Sequence, residues 1–201
     1  WFLPIFLIVY GITPRKYRNL TLLVGSIVFY AMGDVRYLPL LMISILCNYF
    51  LGLHLAKRSP KTLWRKKLLL ILTLGANLAV LLWFKDWGGS AGLPLGISFY
   101  TFQILSYQID VYRGEVSREY SFLKFATYVS MFPKLISGPI TRYGDISDSL
   151  TERTFTVRGL EDGMKLFILG LAAKVLLADR VGILWHEVQV TGFESISTPI
   201  A

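Results

Sequence analysis

Long apolar runs constrain the fold of this chain more than any other feature of its sequence. Tyr37–Ala56 reaches the length of about 20 mostly apolar residues that a helix needs to cross the hydrocarbon core of a bilayer, and Leu68–Phe84 nearly reaches it. Leu20–Met32 and Met164–Leu177 are shorter and need tilt or partial insertion. Together with a hydrophobic content of 54% and a mean hydropathy of +0.52, these runs predict an all-α fold, a polytopic transmembrane helical bundle.

The positive charge of the chain is concentrated beside these runs. The net charge is +8, and the flanking cations form two groups: Arg15, Lys16 and Arg18, and the basic segment Lys57–Lys67. Basic residues beside spanning helices mark cytoplasmic loops and meet lipid phosphates, so the predicted partner is the lipid bilayer and not nucleic acid. The Gly-rich loop Lys85–Pro94 is placed on the opposite side.

The character of the chain changes at Pro94. Residues 1–93 predict simple transmembrane helices with basic cytoplasmic loops. In residues 94–201 the apolar runs are shorter and interrupted by Gly and Pro, which predicts broken or re-entrant helices, because lipid does not tolerate irregular backbone at membrane depth. Since the chain begins with Trp1 instead of Met, we expect it to be a portion of a longer protein.

A polar stripe follows the predicted helix Ser98–Arg113. Gln103, Ser106, Asp110 and Arg113 recur at spacings of three or four, which places them on one helix face. Asp110 and Arg113 are an i,i+3 pair that could neutralise each other. Two interpretations stay open: a solvated helix end at the membrane surface, or the wall of a substrate passage.

The stretch "FPKLISGPITRYGD", Phe132–Asp145, breaks the helical pattern. Pro133 removes a backbone donor and predicts a kink, and the Gly-Pro pair at Gly138 predicts that the helix stops there. Arg142 and Tyr143 follow the break. Arg142 is either a snorkelling or ion-pairing arginine, or a contact for an anion such as a phosphate group.

Lys174 interrupts a later apolar run. Asp179 lies five residues further on, too far round an ideal helix for an i,i+4 pair. We therefore predict that Lys174 pairs with a carboxylate of a neighbouring helix, with a role in a functional site as the alternative.

Cysteine and histidine usage excludes several chemistries. The single cysteine, Cys47, allows no disulfide framework and no CxxC metal site. The two histidines, His54 and His186, have no recognisable nucleophile or base partner nearby in the sequence, and no nucleotide-binding or hydrolase motif is present. The residues alone therefore predict no metal site, and their motifs are not enough to claim an enzyme.

Four blocks nevertheless resemble the membrane-bound O-acyltransferase (MBOAT) family, and more narrowly its bacterial alginate O-acetyltransferase branch. These blocks are "FYAMGDVRYLPLLMISILCNYFLG" (Phe29–Gly52), "PLGISFYTFQILSYQIDVYRG" (Pro94–Gly114), "FLKFATYVSMFPKLISGPITRYGD" (Phe122–Asp145) and "GLAAKVLLADR" (Gly170–Arg180). Met32 stands where the branch commonly has Trp. The resemblance covers nearly the whole chain and implies that residues 94–201 are the first, incomplete part of the family core.

The resemblance implies a multi-pass enzyme of the bacterial cytoplasmic (inner) membrane. Such enzymes move an acetyl group from acetyl-CoA or another acetyl thioester, with no bound cofactor, through a tunnel to hydroxyls of an exopolysaccharide such as alginate. Periplasmic acetyl-transferring proteins and the exopolysaccharide machinery are the implied partners. A transporter and a non-catalytic scaffold related to the family stay open as alternatives.

The resemblance also implies that the catalytic residue lies elsewhere. The family's catalytic histidine belongs to a Trp-His block expected beyond Ala201, and "LWHEV" around His186 lacks the flanking context of that block. No catalytic residue is therefore assigned within this chain. The candidates for the walls of the donor and substrate tunnel are Gln103, Asp110, Arg113, Arg142, Tyr143 and Lys174.

The basic segment Lys57–Lys67 generates a topological prediction. Replacing its cations with acids should disturb the orientation of the flanking helices, because cytoplasmic retention of these loops depends on their Lys and Arg residues. A cysteine-accessibility assay in intact cells measures this orientation. A normal topology in the reversed variant would contradict the assignment of sides.

Overall fold

The computed structural model describes residues 1–55, 63–87, 92–136, 138–152 and 156–191. Within these ranges the regular structure is entirely helical, with no strand, which confirms the all-α prediction. The chain forms two compact units, Trp1–Arg153 and Thr154–Ala201. Part of the basic segment, including Lys57, Arg58 and Lys61, lies outside the described residues, as does the middle of the Gly-rich loop. The predicted boundary at residue 94, between simple transmembrane helices and the family core, stays a prediction.

The first unit contains eight α-helices within the ranges that the structure describes. They are α1 (Phe2–Ile12), α2 (Arg18–Asp34), α3 (Leu38–Leu55), α4 (Leu63–Leu82), α5 (Ile97–Arg113), α6 (Phe122–Ser130), α7 (Phe132–Leu135) and α8 (Tyr143–Thr151). Short 3₁₀ turns precede α2 and α3, at Arg15–Tyr17 and Val35–Tyr37, and a π-helical turn, Trp83–Trp87, follows α4. The second unit contains α9 (Val157–Ala173), a π-helical turn (Lys174–Ala178) and α10 (Asp179–Thr191).

In the described ranges, two helical stretches are long and apolar enough to cross a membrane. Arg15–Leu55 spans 41 residues with a mean hydropathy of 1.8, and Trp64–Asp86 spans 23 residues with a mean hydropathy of 2.0. The first stretch is broken at Asp34, whose φ of −157° and ψ of 78° are not helical, and this break lies in the predicted turn Gly33–Arg36. The number of membrane crossings stays a prediction.

Helix α5 forms the centre of the first unit. It packs against α3, α4, α6, α7 and α8. Its side chains Tyr100, Ile104 and Tyr107 are almost completely buried, whereas Phe102 is 42% exposed. Because neighbours surround α5 on most sides, its polar stripe faces protein: Gln103 and Asp110 are buried, whereas Arg113 at the helix end is exposed.

Amide side chains join three of these helices inside their apolar surfaces. Asn48 on α3 and Asn77 on α4 exchange two hydrogen bonds, with donor–acceptor distances of 3.0 and 2.9 Å. Gln108 on α5 donates to the Asn48 carbonyl oxygen at 2.7 Å. Buried amide groups need partners within the protein, and the Asn48–Asn77 pair and Gln108 Nε2 have theirs on neighbouring helices. These bonds therefore fix how α3, α4 and α5 face one another.

The break between α6 and α7 has a local cause. Pro133 occupies the first turn of α7, where the missing N–H removes no intrahelical bond. The backbone N–H of Phe132 donates to Ser26 Oγ on α2 at 3.2 Å, so the interruption is satisfied by a neighbouring helix. The helix ends at Leu135, and Gly138 N–H donates to the Lys134 carbonyl oxygen at 3.3 Å. The predicted break and stop are therefore both confirmed.

Gly96, the residue before α5, permits a close backbone approach between α5 and α7. Its φ is +68°, and a Cβ atom placed there would lie 2.3 Å from the Leu135 carbonyl oxygen of α7. Gly92 has a similar φ of +78°, but a Cβ atom there would meet nothing within 4 Å. Both positions require a left-handed backbone conformation, but only at Gly96 would a Cβ atom also clash with a neighbouring backbone.

We expect Gly96→Ala to lower the thermal stability of the detergent-solubilised protein more than Gly92→Ala. Both substitutions carry the left-handed penalty of about 1–2 kcal/mol. Only Gly96→Ala must also separate α5 from α7, which should lower Tm by several further degrees. Equal losses of Tm in the two variants would contradict this account of the α5–α7 contact.

Candidate functional site

Charged side chains converge where the C-terminal end of α5 meets residues 114–121 and the start of α8. Asp110 is 5% exposed and lies within electrostatic range of Arg113 and Arg142, and of the carboxylates of Glu115 and Asp145. The structure thus brings together three of the sequence-predicted residues, Asp110, Arg113 and Arg142. It adds Glu115, which the sequence reasoning did not identify.

Glu115 lies between the two arginines. Its Oε1 is 3.6 Å from Arg113 Nη1, and its Oε2 is 4.0 Å from Arg142 Nη1. Arg113 therefore contacts Glu115 where the sequence suggested Asp110 as its partner. The reason is the turn at Gly114, with φ +79°, which lets the N–H of Glu115 donate to the Asp110 carbonyl oxygen at 3.0 Å and folds residue 115 back over the helix end.

Solvent exposure leaves this charge cluster open to exchange. The side chains of Arg113, Arg142 and Glu115 are 62%, 66% and 47% exposed. Exposed ion pairs contribute about 0–1 kcal/mol each, so neither arginine is locked in place by its pair. Both guanidinium groups can therefore turn to a phosphate or carboxylate of a ligand.

Tyr143 lies beneath the charged cluster, 2% exposed. Its hydroxyl donates to Glu119 Oε2 at 2.5 Å, while Glu119 Oε1 accepts from the Ser121 N–H at 2.7 Å. The Glu119 N–H in turn donates to the Tyr107 hydroxyl at 3.0 Å. Burial raises the pKa of the Tyr143 phenol above its ordinary value, and the hydrogen bond to Glu119 raises it further. Tyr143 is therefore held in place as a hydrogen-bond donor to Glu119.

Three tyrosines form the floor of the site. The Tyr143 ring meets the rings of Tyr107 and Tyr128 edge to face, with both centroid distances at 5.1 Å. The Tyr128 hydroxyl donates to the Thr141 carbonyl oxygen at 2.9 Å. Edge-to-face pairs contribute about 0.5–1.5 kcal/mol beyond their buried area, so this cluster is a rigid support for the charged groups above it.

Lys134 is a second residue that the sequence reasoning missed. It is 5% exposed, its Nζ lies 4.1 Å from the centroid of the Tyr128 ring, and it donates to Thr141 Oγ1 at 3.1 Å. Burial lowers the pKa of its ammonium group below the ordinary value. In the sequence Lys134 is simply a cation between two helix-breaking residues, and nothing local indicates that a tyrosine six residues earlier covers it.

Gln103 also lies on α5, seven residues before Asp110 in the chain. It is completely buried, and within the described ranges neither of its amide atoms has a hydrogen-bond partner. Among the described residues, the buried hydroxyls of Tyr30 and Tyr100 also lack a hydrogen-bond partner. Buried polar groups of this kind are normally satisfied by water or by a ligand, which keeps Gln103 a candidate for a polar passage.

Lys174 lies in the second unit and pairs with Asp179, with 3.2 Å between Nζ and Oδ2. The prediction of a partner on a neighbouring helix is therefore wrong. The five residues from Lys174 to Ala178 form a π-helical turn, whose i→i+5 spacing brings residues five apart onto one face. A role for Lys174 in the tunnel stays a prediction.

The chemistry available at this site is binding and orientation. In the described ranges, no three His, Cys, Asp or Glu side chains are grouped so that they could hold a metal ion. The groups present are two exposed guanidinium groups, the buried carboxyl of Asp110, and the phenol of Tyr143, which donates to Glu119. Such a set can hold an anionic ligand and orient a hydroxyl or a carbonyl group beside it.

Comparison with known proteins gives close relatives over most of the chain. It is 38% identical to the probable alginate O-acetylase of Pseudomonas putida over 202 residues, which cover 90% of this chain and 41% of that protein. It is 38% identical to the probable alginate O-acetylase of Pseudomonas aeruginosa over 203 residues, 91% of this chain and 39% of the relative. It is 32% identical to a peptidoglycan O-acetyltransferase of Helicobacter pylori over 227 residues, 89% and 43%.

The chain is thus a homologue of O-acetyltransferases. More narrowly, it is homologous to the alginate O-acetylases, which confirms the resemblance to the alginate branch of the membrane-bound O-acyltransferase family. The chain spans about two fifths of the length of the curated relatives it matches. No protein-family model matches the chain, and no solved structure matches it.

We expect Tyr143→Phe to lower the thermal stability of the protein. The substitution removes the hydroxyl that donates to Glu119, and a hydrogen bond to a charged group contributes about 1.5–3 kcal/mol. For a chain of this size, Tm should fall by several degrees in a thermal unfolding experiment.

Tyr17→Phe is the matched control, because Tyr17 is 51% exposed. Its Tm should stay within about a degree of the unsubstituted protein, since exposed substitutions of this kind change stability little. Equal Tm values for all three proteins would exclude the Tyr143–Glu119 bond as a support of the site.

Proposed function

We propose that this chain is part of a membrane O-acetyltransferase that acetylates hydroxyl groups of a polysaccharide outside the cytoplasm. The single observation that carries the proposal is the identity of 38% to alginate O-acetylases over 90% of the chain. The acetyl donor is acetyl-CoA or another acetyl thioester on the cytoplasmic side, and alginate is the proposed acceptor.

The proposed setting is the bacterial inner membrane, which the chain crosses several times. The two long apolar helical stretches support this setting. Only 11% of the most apolar part of Trp64–Asp86 is buried inside the structure, so most of its apolar surface is available to lipid. Periplasmic acetyl-transferring proteins and the exopolysaccharide machinery are the proposed partners.

The contribution of this chain to the reaction is positioning. Arg113 and Arg142 hold an anionic part of a substrate, and Tyr143 keeps the loop that carries Glu119 fixed beneath them. The general base that removes the proton from the attacking hydroxyl is the family's histidine, expected beyond Ala201. Such a base contributes about 10²–10⁴-fold to the rate, and accurate positioning is a separate contribution to the same barrier.

A second acceptor is supported by one comparison. The relative from Helicobacter pylori is a peptidoglycan O-acetyltransferase. Both alginate and peptidoglycan present sugar hydroxyls, so the same reaction serves either polymer. Because identity to the alginate enzymes is higher, at 38% against 32%, alginate is the first substrate to test.

Arg142→Ala in the complete protein tests the proposed role of this residue. Acetyl transfer to alginate should fall by about tenfold or more, because one charge-assisted contact to an anionic ligand contributes about 1.5–3 kcal/mol. Membrane insertion should be unchanged, since Arg142 is 66% exposed and its ion pair with Glu115 is weak. The assay measures acetyl groups on the polymer released by cells that carry each variant.

Arg158→Ala is the control for charge removal, because Arg158 lies exposed in the first turn of α9. It should transfer acetyl groups at the unsubstituted rate. Unchanged transfer by Arg142→Ala would remove Arg142 from the site. Absence of transfer by the unsubstituted complete protein, with acetyl-CoA and each polymer supplied, would instead favour the non-catalytic scaffold.

A further inference from the structure

A polar cavity of about 420 Å³ lies on the first unit, between the ends of three helices and the segment that follows α5. Its lining comes from the end of α3, the first turns of α4, the end of α5 and residues 114–120, and includes Leu55, Lys66, Arg113, Ser117, Arg118 and Tyr120. The volume falls within the range of about 300–1,000 Å³ that is typical of ligand sites.

Among the residues that the structure describes, the lining carries three cations and no carboxylate. Lys66, Arg113 and Arg118 come from three different segments of the chain, so the fold assembles their charges in one place. Of the nearby acids, Glu115 contacts Arg113 at 3.6 Å and Glu119 is engaged by Tyr143 and Ser121. Neither acid lines the cavity. The described side chains that line the cavity therefore carry a net positive charge.

Arg118 is held in a fixed orientation at the cavity wall. Its Nε donates to the Tyr120 hydroxyl at 2.6 Å, one Nη donates to the Leu53 carbonyl oxygen at 3.2 Å, and its guanidinium lies 4.5 Å from the centroid of the Tyr120 ring. These two bonds use two of the five N–H donors of an arginine. A guanidinium ordered by its own neighbours loses little entropy when its remaining donors bind an anion.

The end of α5 at the cavity is partly capped. Two of its last carbonyls accept hydrogen bonds: Val111 O accepts from Gly114 N–H at 3.2 Å, and Asp110 O accepts from the N–H groups of Glu115 and Val116 at 3.0 and 3.4 Å. Ser117 adds a hydroxyl to the lining. The donors in the cavity wall thus comprise an ammonium, two guanidinium groups and a hydroxyl.

We propose that this cavity binds a phosphate group. A tetrahedral phosphate accepts several hydrogen bonds at once, and arginine forks with a neighbouring lysine are the side chains that match it. Two sources present this chemistry beside an apolar helix such as α4: the headgroup of an anionic lipid, and a soluble molecule that bears a phosphate ester. The cavity shares Arg113 with the proposed substrate site, but the inference concerns binding alone and its test measures no acetyl transfer.

Binding measurements on the purified complete protein in dodecyl maltoside, which contains no phosphate, test the proposal. One arm titrates dioctanoyl phosphatidylglycerol below its micelle concentration, and the other titrates ADP. Saturable binding of the lipid supports the headgroup source, and saturable binding of ADP supports the soluble source. Affinity should fall as salt concentration rises. Binding of neither probe would overturn the proposal.

Lys66→Gln should weaken binding of whichever of the two probes binds by about tenfold, because it removes one charge-assisted contact. Lys67→Gln is the matched control: Lys67 is the adjacent residue, exposed, and does not line the cavity. Equal affinities for the Lys66→Gln variant and the unsubstituted protein would overturn the site. So would equal weakening by both substitutions, since that pattern indicates diffuse attraction by the basic segment.

Arg118→Lys tests the contribution of the planar guanidinium group separately from its charge. It keeps the charge but loses the planar donors and the contact with the Tyr120 ring, so affinity should fall although the charge is unchanged. The readout is a dissociation constant and not acetyl transfer. A negative result for phosphate binding therefore does not decide the proposed acetyl transfer, which is measured in a separate assay.

Discussion

Helix α5 lies inside the first unit with α3, α4, α6, α7 and α8 packed around it, so the polar groups that it carries are largely removed from solvent and depend on partners within the protein. This burial organises the rest of the structure. Gln108 meets the backbone of α3, and the capped C-terminal end turns the chain back at Gly114. The same turn sets the position of Glu115 between two arginines.

The interior that surrounds α5 combines apolar packing with a few directional bonds. Hydrogen bonds between helices contribute about 0.6–2 kcal/mol each in a membrane, where apolar surfaces alone gain little from meeting one another. In the proposed membrane setting, the reciprocal Asn48–Asn77 pair and the Gln108 bond to α3 specify which helix faces meet. Close backbone approach adds a second constraint, because Gly96 allows α5 and α7 to touch.

The two clusters of charge differ in how firmly they are held. Arg113 and Arg142 are exposed and weakly paired, whereas Tyr143, Glu119 and the tyrosine floor beneath them are fixed by short hydrogen bonds and ring contacts. A rigid floor with mobile cations above it suits the capture of an anionic ligand followed by its orientation. Arg118, held by Tyr120 and Leu53, represents the opposite solution, a cation ordered in advance.

The sequence by itself determined the helical class and the positions of the helix breaks. Apolar runs and their lengths are local properties, and so are the effects of Pro133 and Gly138, so α5 and the α6–α7 break were predicted within a residue or two. The sequence also nominated Asp110, Arg113, Arg142 and Tyr143, because a polar residue within an apolar pattern is conspicuous wherever the chain folds.

Only the tertiary structure decided which side chains form pairs with one another. Glu119 reaches Tyr143 across 24 positions, Lys134 is covered by the ring of Tyr128, and Arg118 meets the carbonyl of Leu53 65 positions away. Even the short-range pair of Lys174 and Asp179 depends on a π-helical turn that the apolar pattern does not reveal. Helical periodicity specifies which side chains share a face, whereas the contacts of that face depend on how distant segments pack, and that information is not local.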